Sequence, residues 1–266
     1  MKVFNFPGGE VHVQLDDEEM TRYEHQANLW SSDDIMRMLL VNNALEPVAG
    51  DLTWTIPYVP YARQDRRANS NEPLSIQVMA QLINSMGASE VRIWDPHSDV
   101  TAALIKNVTI IPQEQLVHRM IGHKHYDAVV APDTGATKKA LKVAARLQAS
   151  VIQAHKVRDT LTGQISATRL LDYKSIFDKR VLVVDDICDG GRTFIELGKI
   201  LRDELPHTLD LYVTHGIFSK GLDTLLSIYD QIYCPNPKDY SACAAYSNVC
   251  AWNPEQSPYS PSVHLN

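Results

Sequence analysis

One stretch of the chain, residues 181–194, constrains the fold more than any other. Four apolar residues come first, followed by Asp185 and Asp186 and then by Gly190 and Gly191. An unbroken run of Val and Leu is typical of a strand that is buried on both faces of a parallel sheet. Two glycines after such a strand allow backbone N–H groups to converge on a phosphate where the next helix begins. The two acids would then meet ribose hydroxyls at the carboxyl end of the strand. An ordinary turn with an acidic cap is the alternative, although adjacent acids there serve no packing purpose.

The net charge of the chain indicates which classes of partner it can bind. Its 266 residues include 25 Lys and Arg against 32 Asp and Glu, which gives a net charge of -7. An acidic balance disfavours generic binding to nucleic acid or to anionic membranes. The N-terminus lacks a basic segment followed by an apolar run, and no apolar stretch approaches the roughly 18 residues of a membrane helix. We therefore expect a cytoplasmic protein that binds a small molecule, with no nucleic acid and no membrane among its partners.

The four cysteines are not expected to carry chemistry. None of them has the paired CxxC spacing of zinc sites, and nothing indicates secretion, so free thiols are expected. Cys188 lies within residues 181–194, but no His follows nearby to activate it. We expect its thiol to fill space behind the turn.

Strand-like and helix-like patterns alternate along the chain, which predicts an α/β fold with mainly parallel sheets. Strands are predicted around Val11 and Val13 and at residues 52–59, 91–94, 108–111, 128–131, 151–153, 181–184 and 211–215. Helices are predicted at residues 33–45, 75–86, 136–147 and 195–205. The two halves predict two domains, 1–113 and 114–253, although one continuous fold is compatible with the pattern. Residues 254–266 are rich in Pro and Ser and predict a mobile tail.

A basic cluster follows one predicted strand of the first half. Three arginines and a glutamine fall within five positions, a density that suits polyphosphate recognition. They are Arg63, Gln64, Arg66 and Arg67. Tyr61, just before them, is placed to form an aromatic wall for a base. A solvated basic turn is an equally good interpretation of these residues taken alone.

Two further groups of polar residues follow strands. His97 and Asp133 would project at a sheet edge, and an imidazole with a carboxylate can hold a divalent metal, or its water, against phosphates. Lys156 and Arg158 precede the polar residues 159–166, which could form a mobile flap. Two cations on a flap fit charge stabilisation in phosphoryl transfer, whereas an exposed β-hairpin is the plainer alternative. No GxxxxGK[ST] motif is present, so any nucleotide is held without a Walker loop.

Together, these motifs resemble those of the ribose-phosphate pyrophosphokinase family. The matching segments, in chain order, are residues 6–11, 60–67, 95–97 and 132–135, the pair Lys156 and Arg158, and residues 185–193 and 214–219. The resemblance implies two phosphoribosyltransferase-like domains, an ATP-binding half at 1–113 and a ribose-phosphate-binding half at 114–253. It also implies a homodimer or a higher homo-oligomer. The first matching segment lies almost at the N-terminus, which predicts that the family's first strand and helix are missing.

The resemblance also implies roles for individual residues. ATP would contact Phe6, Glu10, Arg63, Gln64, Asp65 and His97. The acceptor sugar would contact Asp185, Asp186, Asp189, Gly190, Gly191, Arg192 and Thr193. His97 and Asp133 would hold Mg²⁺, and Lys156, Arg158 and His97 would be catalytic. The implied reaction moves the β,γ-diphosphate of ATP to the anomeric hydroxyl of ribose 5-phosphate, which gives phosphoribosyl pyrophosphate and AMP.

Two departures from the family pattern leave other functions open. Gly190 stands where the family has a hydroxyl residue and Arg192 where it has Gly, while Gly8 replaces a usual acid. An added guanidinium could favour a diphosphate, so the same chemistry on ADP-ribose, in NAD salvage, is an alternative. Further alternatives are a non-catalytic regulatory relative, a phosphoribosyltransferase and a plain nucleotide-binding module. The predicted catalytic and metal-binding residues disfavour a non-catalytic relative. The basic cluster after Tyr61, together with His97, disfavours a phosphoribosyltransferase, because such an enzyme has no ATP to hold.

Overall fold

A computed structural model describes residues 1–17, 23–47, 50–158, 165–171, 175–252 and 264–265, with the backbone alone described at 155–158, 165–171 and 264–265. The chain divides into two compact units, Met1–Ile111 with Asn253–Asn266 and Pro112–Trp252. The predicted tail, 254–266, lies outside the described residues apart from its last short strand. What each half binds stays a prediction.

The described strands and helices follow one another in α/β order. The strands are β1 (Lys2–Asn5), β2 (Val11–Gln14), β3 (Glu24–Ala27), β4 (Thr53–Ile56), β5 (Glu90–Trp94), β6 (Val108–Ile111), β7 (Ala128–Ala131), β8 (Ser150–Arg158), β9 (Ile165–Leu171), β10 (Arg180–Cys188), β11 (Thr208–Gly216), β12 (Gln231–Cys234), β13 (Asn236–Pro237), β14 (Val249–Ala251) and β15 (His264–Leu265). The helices are α1 (Ser32–Leu45), α2 (Ser75–Ser85), α3 (Asp99–Leu104), α4 (Gln113–Ile121), α5 (Thr137–Leu147), α6 (Arg192–Asp203), α7 (Asp223–Leu226) and α8 (Tyr240–Ala244).

The first unit is built on a parallel sheet with the strand order β15-β3-β4-β5-β6. The strands β1 and β2 form a separate antiparallel pair. The helix α1 begins with a capping box, in which the Ser31 side chain accepts from the Asp34 N–H and the Asp34 carboxylate accepts from the Ser31 N–H. Met38, Trp54 and Ile76 are fully buried in the core of this unit.

The second unit contains an eight-stranded sheet with the path β14-β12-β11-β10-β7-β8-β9 and β13 paired to β11. All of its pairs are parallel except β8 with β9. The apolar residues of β10, Val181 to Val184, are each fully buried, as the unbroken apolar run predicts. The acids that follow them lie at the carboxyl end of β10, where Asp185 pairs with Val213 of β11.

The predicted α/β class with mainly parallel sheets is confirmed. The prediction for α6 was wrong at its start, because the helix begins at Arg192 instead of residue 195. The apolar periodicity begins at Phe194, so the first polar turn gave no periodic signal. Several elements had no predicted counterpart, namely β1, β3, β9, β12, β13, β14, α3, α4, α7 and α8. Within the described part of the chain, no helix is long and apolar enough to cross a membrane.

Candidate functional site

The glycine turn after β10 is held in place by the turn after β11. Gly191 precedes α6 with φ at 76°, a left-handed conformation that favours glycine. The Ser219 hydroxyl donates to Asp189 Oδ1 at 2.7 Å, and the Ser219 N–H donates to the Asp189 carbonyl at 3.2 Å. The stem of Lys220 passes beside Gly190, where an added Cβ would lie 3.5 Å from Lys220 Cγ. The start of α6 therefore faces a fixed turn, and its first N–H groups have no acceptor within the helix.

The two acids of β10 have different surroundings. Successive side chains of a strand point to opposite faces of the sheet, so Asp185 and Asp186 diverge. The Asp185 carboxylate turns back to accept the Asp186 N–H at 2.8 Å. Asp186 is buried, and its Oδ2 lies 3.1 Å from the Nζ of Lys139. Lys139 is the third residue of α5, so that this helix supplies the cation that faces Asp186.

Like charges surround Asp185. Burial raises the pKa of its carboxyl well above the usual value, and the negative charges of Asp186 and Asp133 raise it further, whereas Lys139 opposes the shift. Asp133 follows β7, and its Oδ1 accepts the N–H of Ala136 at 3.2 Å in the turn before α5. The second unit therefore gathers three acids and Lys139 at the carboxyl edge of its sheet, where parallel sheets bind ligands.

The motif analysis did not single out Lys139. Its partner lies 47 positions away in the chain, and such a pairing leaves no local pattern. One signal was present, because Lys138 and Lys139 stand in the first turn of a helix. The helix dipole disfavours cations at that end, so a lysine there points to a partner elsewhere.

Arg192 lies on the exposed side of α6. Its Nε donates to the Glu196 carboxylate at 2.7 Å, one turn further along the helix, and 81% of its side chain is exposed. Thr193, the next residue, is half-buried. The expected contacts of both residues with the acceptor stay predictions.

The expected flap residues are described only in part. Lys156 and Arg158 lie in β8, where their backbones pair with Thr168 and Ile165 of β9 in an antiparallel register. Their side chains and residues 159–164 are outside the described residues. The expected flap at 159–166, and the roles of the two cations, therefore stay predictions.

The predicted adenine contacts lie at the turn between β1 and β2. Phe6 is 49% exposed and packs against Phe4 and His12, with ring centroids 5.4 and 5.3 Å away. The Glu10 carboxylate folds over Gly8, where an added Cβ would lie 2.5 Å from Glu10 Oε2. The sequence analysis missed Phe4, because β1 was not predicted, and it gave no role to His12, although it predicted the strand that contains it. Together these rings form an exposed aromatic surface.

The remaining predicted ATP residues follow β4 and β5. Arg63 and Gln64 are exposed and Asp65 is half-buried, in a turn where the Gln64 N–H donates to the Tyr61 carbonyl at 2.9 Å. His97 is exposed in the turn after β5. Asp95, two residues earlier, is buried and has φ at 38°. Non-glycine residues with a positive φ cluster at functional sites, and the binding role of this turn stays a prediction.

A complete metal centre is not seen within the described part of the chain, where no group of three potential ligands clusters. Asp133 offers the oxygen ligands that Mg²⁺ prefers, and Mg²⁺ keeps several waters that an imidazole such as that of His97 can contact. His97 belongs to the first unit and Asp133 to the second. The donor types fit Mg²⁺, and the magnesium site stays a prediction.

The cysteines agree with the expectation of free thiols. All four are unpaired with one another, and Cys188 is fully buried in the core of the second unit. Burial raises the pKa of its thiol to about 12, so Cys188 is not a thiolate at neutral pH.

Comparison with known proteins identifies the family. The family model for the N-terminal domain of ribose phosphate pyrophosphokinase matches residues 1–87, and the phosphoribosyl transferase domain matches residues 107–243. The ribose-phosphate pyrophosphokinase of Cereibacter sphaeroides is 30% identical over 221 residues, which cover 79% of this chain and 63% of that protein. The enzyme of that name from Mycoplasma pneumoniae is 31% identical over 229 residues, covering 80% and 67%. That from Campylobacter jejuni is 30% identical over 230 residues, covering 82% and 72%.

The chain thus spans about two thirds of the length of these relatives. Phosphoribosylpyrophosphate synthetase from Mycobacterium smegmatis has the same fold, with a TM-score of 0.78 and 23% identity over 94% of this chain and 85% of that one. Both halves of the chain match in the expected order, and relatives at 30% identity are covered over more than two thirds of their length. This chain therefore belongs to the ribose-phosphate pyrophosphokinase family.

Proposed function

We propose that the protein is a ribose-phosphate diphosphokinase that uses Mg-ATP. It transfers the β,γ-diphosphate of ATP to the anomeric hydroxyl of ribose 5-phosphate, and the products are phosphoribosyl pyrophosphate and AMP. The observation that carries this proposal is the acidic pair and glycine turn between β10 and α6, in a chain of this family. Cytoplasmic location and a homodimer or larger assembly stay predictions.

The second unit would bind the acceptor. Asp185, Asp186 and Asp189 would accept hydrogen bonds from the ribose hydroxyls. The N–H groups around Gly190 and Gly191 would hold the 5-phosphate, which the N-terminus of α6 attracts. This orientation would leave the anomeric hydroxyl pointing away from the turn, towards the incoming diphosphate.

The first unit would bind ATP. The exposed rings of Phe6 and Phe4 suit stacking with a base, and Arg63 and Gln64 are accessible donors for phosphate oxygens. The anomeric hydroxyl releases its proton and its oxygen attacks the β-phosphorus. The bond between the β-phosphorus and the oxygen that bridges it to the α-phosphate breaks, and AMP leaves with that oxygen. No covalent protein intermediate is required.

Charge on the transferred group has to be neutralised during the reaction. When bound, Mg²⁺ would supply electrostatic stabilisation of the phosphate oxygens. Asp133 and His97 would hold this ion or its water, as the donor types allow. Lys156 and Arg158 on β8 would add positive charge, and His97 would also contact ATP.

The decisive experiment measures AMP release from Mg-ATP by the purified protein. Ribose 5-phosphate and ADP-ribose are supplied separately, and the products are identified by mass. We expect turnover with ribose 5-phosphate and a product of the mass of phosphoribosyl pyrophosphate. Absence of AMP with both acceptors would overturn the proposal and favour a non-catalytic relative.

The acceptor site is tested by Asp186→Ala. We expect this change to abolish acceptor use while it leaves ATP affinity unchanged, because Asp186 lies in the second unit and contacts the sugar. Asp203→Ala, at the exposed end of α6, is the matched control and should behave as the wild type. Equal loss of ATP affinity and acceptor use would contradict the assigned role.

ADP-ribose is the second candidate acceptor, and one observation favours it. Lys220 passes beside Gly190, and Arg192, which pairs with Glu196, is exposed at the start of α6, so two cationic residues stand next to the glycine turn. The diphosphate of ADP-ribose spreads its negative charge over two phosphate groups, so that it would gain from both cations. Selective AMP release with ADP-ribose in the same assay would establish this acceptor in place of ribose 5-phosphate.

A further inference from the structure

We infer that Lys139 is a positioning residue that holds the Asp186 carboxylate in the orientation needed by the ribose acceptor. This inference rests on the proposed function and adds a residue to it. Lys139 lies in α5, outside the strand, turn and helix that form the acceptor site itself.

The ion pair between Lys139 and Asp186 is sheltered from solvent. The two side chains are 25% and 10% exposed, and their charged atoms lie 3.1 Å apart. A largely buried ion pair keeps one geometry, whereas an exposed ion pair samples many geometries. One oxygen of Asp186 is therefore directed towards α5, and the orientation of the whole carboxylate is fixed with it.

Other acids lie near Asp186. Asp185 is its neighbour in β10, and the negative charges of Asp186 and Asp133 both act on Asp185. Loss of the Lys139 cation would remove the attraction that directs Asp186 Oδ2 towards α5, and the repulsion between these carboxylates would then favour another orientation. The charge of Lys139 does not stabilise α5 itself, because Lys139 lies in the first turn, where the helix dipole disfavours a cation.

The start of α5 is itself well anchored. Asp133 caps the preceding turn through Ala136, and Ala140, next to Lys139, is fully buried against the sheet. The position of the Lys139 backbone therefore does not depend on its side chain. A substitution of Lys139 alters the ion pair with Asp186 without moving the helix. The pair also ties Asp186 to the turn that carries Asp133, the predicted metal ligand.

The test compares three single substitutions in the full chain. Lys139→Gln removes the charge and Lys139→Arg keeps it. Lys142→Gln, on the exposed side of the same helix, is the matched control. We expect Lys139→Gln to raise the KM for ribose 5-phosphate about 10- to 100-fold, by analogy with the loss seen when residues that orient metal ligands are removed. The KM for ATP should stay within about twofold of the wild type, and Lys139→Arg should restore most of the acceptor affinity.

The outcomes distinguish a failure of the proposed function from a failure of the role assigned to Lys139. An inactive wild-type protein would overturn the proposed function. An active wild type with an unchanged acceptor KM in Lys139→Gln would overturn the role of Lys139 alone. Equal increases in both KM values, or no rescue by Lys139→Arg, would show a merely structural role and also overturn it. If Lys139→Gln does not fold, Lys139→Met keeps the aliphatic stem and is measured in its place, with the same expected result.

Discussion

At the scale of single residues, the predicted acceptor site places a carboxylate, that of Asp185, where the fold disfavours its negative charge. The pKa of Asp185 is raised by burial and by the charges of Asp186 and Asp133, so the ionised carboxylate destabilises the protein without ligand. We predict that Asp185→Asn stabilises the protein by about 1 kcal/mol at neutral pH and abolishes acceptor use. Asn keeps an oxygen for the Asp186 N–H, so the local hydrogen bond survives.

The pH dependence of this effect has a definite sign. A raised pKa means that the folded protein binds the Asp185 proton more tightly than the unfolded chain does. The loss of stability caused by the ionised Asp185 carboxylate is therefore present above the raised pKa. It disappears as the pH falls through the raised pKa to the ordinary value of 3.8. Calorimetric melting temperatures of Asp185→Asn and wild type should converge at low pH. Asp189→Asn is the exposed control, and a variant less stable than wild type at pH 7 would refute the prediction.

The predicted site residues lie within one local motif, whereas other contacts of the site come from distant parts of the chain. Asp185, Asp186 and Gly191 stand together in one short motif, and the local sequence was enough to place them at the end of a strand. Lys139 meets this motif from 47 positions away, through the packing of α5. Ser219, which lies in the matching segment 214–219 but was given no role, meets it from 30 positions away through the turn after β11. Such contacts depend on the tertiary fold, and no local periodicity encodes them.

At the scale of elements, α6 is fixed by close contact with the chain after α7. Gly198 lies in the middle of α6, where an added Cβ would come within 2.5 Å of Ile228 Cγ2 and 2.9 Å of the Tyr229 hydroxyl. The Tyr229 hydroxyl donates to the Phe194 carbonyl of α6 at 2.8 Å. The position of the helix, and with it the glycine turn after β10, depends on Gly198.

We predict that Gly198→Ala destabilises the protein by about 1–3 kcal/mol, although Ala is the better helix former in isolation. The reason is overpacking against Ile228 and Tyr229. Chemical denaturation measures the change, and Lys199→Ala, at the adjacent exposed position, should stay within about 0.5 kcal/mol of wild type. An increase in stability for Gly198→Ala would show that α6 can shift away from its neighbours.

The elements themselves were predictable where they are long and periodic. The helices α1, α2 and α5 and the strands β7 and β10 were placed within a few residues of their observed bounds. The strands β1 and β3 have four residues each and lack a clear apolar alternation, so composition gave no signal for them. No strand was predicted at β9, and only its first two residues, Ile165 and Ser166, fall within the flap expected at 159–166, whereas its backbone pairs with β8.

At the scale of the whole molecule, each unit has its own sheet and its own apolar core. The strands of the second unit's sheet all lie within Pro112–Trp252, whereas the first unit also includes β15 from the end of the chain. A domain of about 150 residues buries enough surface to fold alone. The second unit is therefore the better candidate for independent folding.

We predict that a fragment of residues 112–252 unfolds cooperatively and binds ribose 5-phosphate but not ATP. The acidic pair, the glycine turn and Lys139 all lie within it, whereas Phe6, Arg63 and His97 do not. Near-UV circular dichroism with a thermal scan tests folding, and titration calorimetry with each ligand tests binding. The full-length chain is the control and should bind both ligands. A fragment without a cooperative transition would show that the second unit needs the first to fold, while ATP binding by the folded fragment would show that the nucleotide contacts were assigned to the wrong half.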